Sequence, residues 1–111
     1  MAHHFQKFLI HKETSLLEAM EHLDTTATLN LYIVDNDNYL LGSLSDGDIR
    51  RALLKGAKMD ELVVSYMNKN PYYIDYLDRD KREQIKALML EKHIETIPVL
   101  DNNHVIVDII T

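Results

Sequence analysis

The chain has 111 residues, 46% of them apolar and 27% charged, a composition that fits one globular domain with its own core and excludes a disordered chain. It has no cysteine, which excludes disulfides, thiolate metal sites and cysteine nucleophiles and fits a reducing, cytoplasmic home. Net charge is −6 with no basic block, and no apolar run approaches the roughly 20 residues of a membrane span, so a soluble protein without nucleic-acid or membrane partners is expected.

The chain opens with the apolar stretch Phe8-Leu9-Ile10, expected to be a strand. Ser15-Leu-Leu-Glu18 follows as a capping box, in which serine and glutamate satisfy each other's free backbone donors. Leu16, Leu17, Met20 and Leu23 then recur at helical spacing and predict one apolar face. The polar Asp24-Thr25-Thr26 separates these residues from the next element. LNLYIVD is rich in strand formers, Asn36-Asp37-Asn38 reads as a turn, and Tyr39-Leu40-Leu41 begins a return strand. That strand runs into GSLSDGDIRRALLKG, a strand end handing over to a helix.

The second half repeats the order. Tyr72-Tyr73-Ile74 is its opening strand, and Asp80-Lys-Arg-Glu83 a second capping box. Ile85, Leu88 and Met89 are the buried face of the helix, and Thr96 to Asp101 the strand. Asn102-Asn103 is the turn and His104 to Thr111 the return strand. Asp35 maps on Asp101 and Ser45 on Thr111 at a constant spacing of 66, the mark of an internal duplication. Gly42 corresponds to Asp108. The chain stops where the first half continues into DGDIRRALLKG, so a fragment of a longer protein is expected, its last helix missing.

Ser45-x-x-Asp48 has a structural use as a helix cap, worth about 1 kcal/mol. A helix start with a small hydroxyl residue and Gly47 nearby also presents open N–H groups that attract phosphate. The two uses do not exclude each other. Arg50 and Arg51 read as solvated, though within reach of a phosphate, and the six histidines show no metal-ligand spacing. Asp35 to Tyr39 resembles the start of a calcium loop but has Leu40 where glycine is needed, so it reads as a hairpin turn. Tyr66, Tyr72, Tyr73 and Tyr76 are expected to pack in the core or an interface rather than to stack a base. No activated nucleophile with a neighbouring base is apparent, which argues against a free-standing enzyme.

LYIVDNDNYLLGSLSDGDIRRALL resembles a cystathionine β-synthase (CBS) motif, and TIPVLDNNHVIVDIIT a second. Together they resemble a tandem CBS pair, or Bateman module, over nearly the whole chain. Gly42, Leu44, Ser45 and Asp48 match the family's ligand-binding signature. The resemblance implies an α+β fold of two β-α-β-β-α motifs packed sheet to sheet about a pseudo-twofold axis, within one domain over 1–111. The first motif would span about 8–65 and the second about 66–111. It implies that Ser45 contacts phosphate and Asp48 ribose, beside Gly47, and that backbone around Ile10 and His11 lines the base pocket. AMP, ADP or ATP would be the ligand, with no required cofactor and no metal.

SDGDIRRALLKG resembles pairs attached to sugar-phosphate enzymes, and VIVDIIT resembles those of sugar-phosphate nucleotidyltransferases in particular. The expected role is regulatory and non-catalytic. The alternatives are the pair of an arabinose-5-phosphate isomerase, or a dimerisation element without ligand. Apolar strand surface from Val105 to Ile110, lacking its covering helix, predicts a homodimer.

Overall fold

The expected order of strand, helix, hairpin and helix is present in the computed structural model, which describes residues 5–111; His3 and His4 lie outside the described residues. A single 3-10 turn, Gln6–Phe8, precedes β1 (Leu9–His11), so Phe8 belongs to the turn rather than the strand. In α1 (Leu16–Thr26) the capping box forms, with Ser15 Oγ accepting from Glu18 N–H and Glu18 Oε1 accepting from Ser15 N–H. The N–H and hydroxyl of Ser15 hold the Glu18 carboxyl below the usual glutamate value.

α1 runs through the polar Asp24-Thr25-Thr26 to its last residue. Thr26 turns its hydroxyl back onto the His22 carbonyl (2.7 Å), which keeps it inside the helix, and Ala27 ends α1 in the left-handed region (φ 55°). The buried stripe is Leu16, Ala19 and Leu23, spaced i, i+3, i+7. Leu17 and Met20, expected on that face, lie one step further round the helix and are exposed.

β2 (Asn30–Val34) is the centre of a three-stranded sheet, parallel to β1 and antiparallel to β3 (Leu40–Ser45). α2 (Asp46–Leu54) starts where β3 ends. Ile10, Leu16, Ala19, Leu31, Ile33, Leu44, Ile49 and Val63 form the core of this unit. The Asp35 carboxylate accepts the N–H groups of Asp37 and Tyr39, so its oxygen is spent on the turn, as the hairpin reading requires.

The second unit runs Tyr72–Thr111 and contains β4 (Ile74–Asp75), α3 (Arg82–Lys92), β5 (Ile97–Leu100) and β6 (Ile106–Ile110), again a three-stranded sheet with its helix. With three α-helices and two small sheets among the described residues, the fold class is α+β. The spacing of 66 holds in detail. α3 matches α1 end to end, and His93 (φ 56°) ends it as Ala27 ends α1. Asp101 accepts from Asn103 and Val105 as Asp35 does from Asp37 and Tyr39, and His104 (φ 65°) matches Asn38 (φ 62°). Both hairpins shift register at the same place, Ile33/Val34 and Val99/Leu100.

The second unit departs from expectation at several points. Tyr72 and Tyr73 are not strand; β4 begins at Ile74, and two extra residues go into the 3-10 turn Tyr76–Asp78 before α3. Tyr72 and Tyr73 therefore stay out of the core, whereas Tyr66 packs against the core of the first unit as expected. Tyr72 and Tyr73 are about half exposed, Tyr72 under the Lys92 ammonium (5.6 Å) and Tyr73 edge-on to His104 (5.3 Å). The second capping box does not form either, because Lys81, not a hydroxyl or carboxylate residue, occupies the position of Ser15. Ile85 is buried in α3, whereas Leu88 and Met89 are only half-buried. On β6, Ile106 and Ile109 are buried; of the surface expected to be bare, Val107 is exposed and Ile110 half-buried.

Residues 66–71 pack on the first unit, which closes at Pro71. The stretch before them is held by Glu61, whose carboxylate accepts from Tyr66 Oη (2.6 Å) and from Lys58 N–H. Those two bonds lower the Glu61 pKa, and the same contact raises that of Tyr66. Asn68 then lies across β3, exchanging both backbone hydrogen bonds with Ser43 (2.8 and 2.9 Å). This crossing explains Gly42. A Cβ there would come within 2.6 Å of the Asn68 carbonyl oxygen and 2.7 Å of Met67 Sδ. Gly42→Ala is expected to lower stability by about 1–3 kcal/mol through overpacking, read as a lower urea midpoint with unchanged slope. An unshifted midpoint would show that the crossing segment yields freely.

Candidate functional site

β3 delivers Ser45 to the last position of its ladder, opposite Asn30, and the chain turns there into α2. Ser45 has extended backbone (φ −102°, ψ 166°), and its Oγ accepts from Asp48 N–H (3.1 Å). Asp48 Oδ2 accepts from Ser45 N–H (2.9 Å), completing the box expected from the sequence. The Ser45 hydroxyl keeps its own proton for a further partner.

The two helix starts of this unit differ in what covers them. The first N–H groups of any helix lack carbonyls within it. At α1, Leu16 N–H donates to the Glu61 carbonyl (2.9 Å) and Leu17 N–H to that of Met59 (3.0 Å), so that end is sealed by the returning chain. At α2, no described residue supplies an acceptor to the N–H groups of Asp46 and Gly47. Those donors, the Ser45 hydroxyl and the positive end of the α2 dipole converge on one spot.

Charges beside this spot are paired. Arg51 Nη2 donates to Asp48 Oδ1 at 2.8 Å, and Arg50 lies 3.8 Å from Asp46. Both arginines are well exposed, as expected of a solvated face, but Arg51 is not idle: it holds the Asp48 carboxylate. Its guanidinium also lies over Gly47, so that a Cβ there would be 3.2 Å from Nη1.

Of the sequence-derived site, Ser45, Gly47 and Asp48 come together; Ile10 and His11 do not join them through the sheet. Ile10 is level with Ile33 and His11 with Val34, three and four positions along β2 from Asn30. At about 3.3 Å per residue, His11 lies roughly 13 Å along the strand from the level of Ser45. The Ile10 side chain is in the core. His11 is occupied at the far rim, its Nε2 2.6 Å from Asn36 Oδ1 and its Nδ1 accepting from Glu13 N–H. Asn30, which the sequence reading did not single out, is the polar neighbour of Ser45. The signal was its position as the one polar residue in the run LNLYIV.

Among the described residues no three His, Asp or Glu side chains cluster as metal ligands. The described histidines have separate duties: His22 Nε2 meets the Lys7 carbonyl at 2.7 Å, and His93 and His104 take left-handed turn positions. No helix among these residues is long and apolar enough to cross a membrane. A groove of about 610 Å³ runs along the exposed side of α1 and is lined by Leu17, Met20, Leu29 and, at its end, Asp46. In the second unit the counterpart of Gly42 is Asp108, whose Oδ1 accepts from Ile109 N–H (2.8 Å).

Comparison with known proteins agrees with this architecture. The sequence model of the CBS domain matches residues 6–55. An uncharacterized protein of Helicobacter pylori is 33% identical over 98 residues, covering 88% of this chain and 30% of the relative. The arabinose 5-phosphate isomerase GutQ of Salmonella typhimurium is 29% identical over 90 residues, 81% of this chain and 27% of the isomerase. The chain spans 20% to 30% of the length of the curated relatives it matches. Among solved structures, the CBS domain pair of protein MJ0100, in complex with 5′-methylthioadenosine and S-adenosyl-L-methionine, superposes with a TM-score of 0.72 at 25% identity, covering 94% of this chain and 83% of that one. Residues 6–55 are thus a CBS domain, and with the same element order repeated after it the chain has the fold of a CBS-domain pair.

Proposed function

We propose that the β3–α2 junction binds an adenosine-type nucleotide, Ser45 and the N–H groups of Asp46 and Gly47 taking the phosphate and Asp48 the ribose. The observation that carries this reading is the contrast between the helix starts, α1 covered by backbone carbonyls and α2 with its first N–H donors open. Asp48 keeps lone pairs for a ribose diol even while it caps the helix. The similarity to the MJ0100 pair, which binds two adenosine derivatives, supports the class of ligand.

On this reading the chain is a regulatory, non-catalytic module of a larger cytoplasmic sugar-phosphate enzyme. Of the two parents implied by the sequence, nucleotidyltransferase and isomerase, the similarity to GutQ favours the isomerase. No feature of the described residues singles out the nucleotidyltransferase.

Asp48→Asn keeps a capping acceptor but loses the charge-assisted bonds to ribose. AMP is expected to raise the melting temperature of the wild-type chain, and the variant is expected to need at least about tenfold more AMP for the same shift. Equal AMP response in the two proteins would move the ribose away from Asp48. Failure of AMP, ADP and ATP at millimolar concentration to shift the wild type would favour the ligand-free dimerisation reading.

The chain also works as a homodimer in this proposal, through the apolar rim of the α1 groove, where Leu17, Met20 and Leu29 are exposed. Light scattering at high concentration should give twice the monomer mass for the wild type and the monomer mass for Leu17→Asp. A wild-type monomer would contradict the dimer.

A further inference from the structure

We propose that Arg51 makes the site select phosphorylated over unphosphorylated adenosine ligands, by leaving Asp48 for the phosphate when one is bound. The inference rests on the junction being the nucleotide site and adds which member of the ligand class it prefers.

The geometry puts one cation between two roles. Arg51 Nη2 is 2.8 Å from Asp48 Oδ1, the oxygen a ribose hydroxyl would need. Asp48 Oδ2 is already committed to Ser45 N–H, so Oδ1 is the carboxylate's less constrained acceptor. The other guanidinium nitrogen overhangs Gly47, beside the open N–H groups where a phosphate would be received. Gly47 leaves this space clear, since a side chain there would press on the guanidinium.

Charge makes the exchange useful. A phosphate at the start of α2 faces two carboxylates, Asp46 and Asp48, within one turn. Like charges at that spacing oppose binding unless a cation moves with the anion. Arg50 is 3.8 Å from Asp46, so Arg51 is the cation already over the site. A guanidinium forks onto phosphate as readily as onto carboxylate. An unphosphorylated nucleoside offers Arg51 nothing in return and must compete with it for Asp48. Because Arg51 is 64% exposed, that competition is weak, worth about fivefold at most.

The test is the ratio of AMP to adenosine affinity, by calorimetry on the wild type, Arg51→Gln and Arg51→Lys. Arg51→Gln is expected to weaken AMP roughly tenfold while leaving adenosine unchanged or up to about fivefold tighter. Arg51→Lys should retain part of the preference through its charge alone. A parallel loss of both ligands would make Arg51 a structural residue, and an unchanged ratio would show no part in selection; either overturns the inference while the site stands. Absence of both ligands from the wild type would overturn the site itself, and this inference with it.

Discussion

The register of β2 against β3 is the constraint on which the first unit depends. A carboxylate fixes it at the closed end, where Asp35 accepts two N–H groups across the turn, and a register shift follows between Ile33 and Val34. From there each pair is determined: Ile33 faces Gly42, Leu31 faces Leu44, and Asn30 faces Ser45. Because side chains alternate, a slip of one residue would send Leu44 out of the core and change where β3 ends. The glycine that admits the crossing of Met67 and Asn68 would also be displaced. The second unit repeats the device with Asp101 and the Val99–Leu100 shift, so the duplication preserves the part of the motif that sets geometry.

Register then decides which backbone groups remain available. The chain after α2 returns to cover the start of α1 and is held there by Glu61, with Tyr66 and Lys58 on its two carboxylate oxygens. That return satisfies the donors of Leu16 and Leu17. Nothing described performs this service for α2. A capped but otherwise open helix start is a modest anion site by itself; what gives it chemical direction is the company of Asp48, with a lone pair to spare, and of Arg51, whose partner is that same carboxylate.

Much of this was legible in the sequence, and the exceptions share a cause. The two capping boxes of the first unit, both hairpin turns and the spacing of 66 depend on side chains bonding to nearby backbone, so the residue types were enough. The second opening strand and the start of α3 were misplaced because two residues are inserted before the helix, and a capping pattern at Asp80 cannot reveal that Lys81 has taken the cap position. The candidate site was legible only where its residues adjoin in the chain. Ser45, Gly47 and Asp48 are neighbours in the chain, but the level of Ile10 and His11 relative to Ser45 depends on strand register, which no local pattern carries. Gly42 belongs to the motif read from the sequence, but its requirement by the backbone crossing of Asn68 is carried by no local pattern.

Two helix starts in one small unit differ in whether their first N–H groups are covered, and backbone amide resonances report on each. In a titration of the 15N-labelled chain with AMP, the amides of Asp46 and Gly47 should move most, with Ser45 and Asp48 following, while those of Leu16 and Leu17 stay in place behind their carbonyl partners. Shifts at Leu16 and Leu17 that match or exceed those at Asp46 and Gly47 would contradict the account, as would a spectrum unmoved by millimolar AMP.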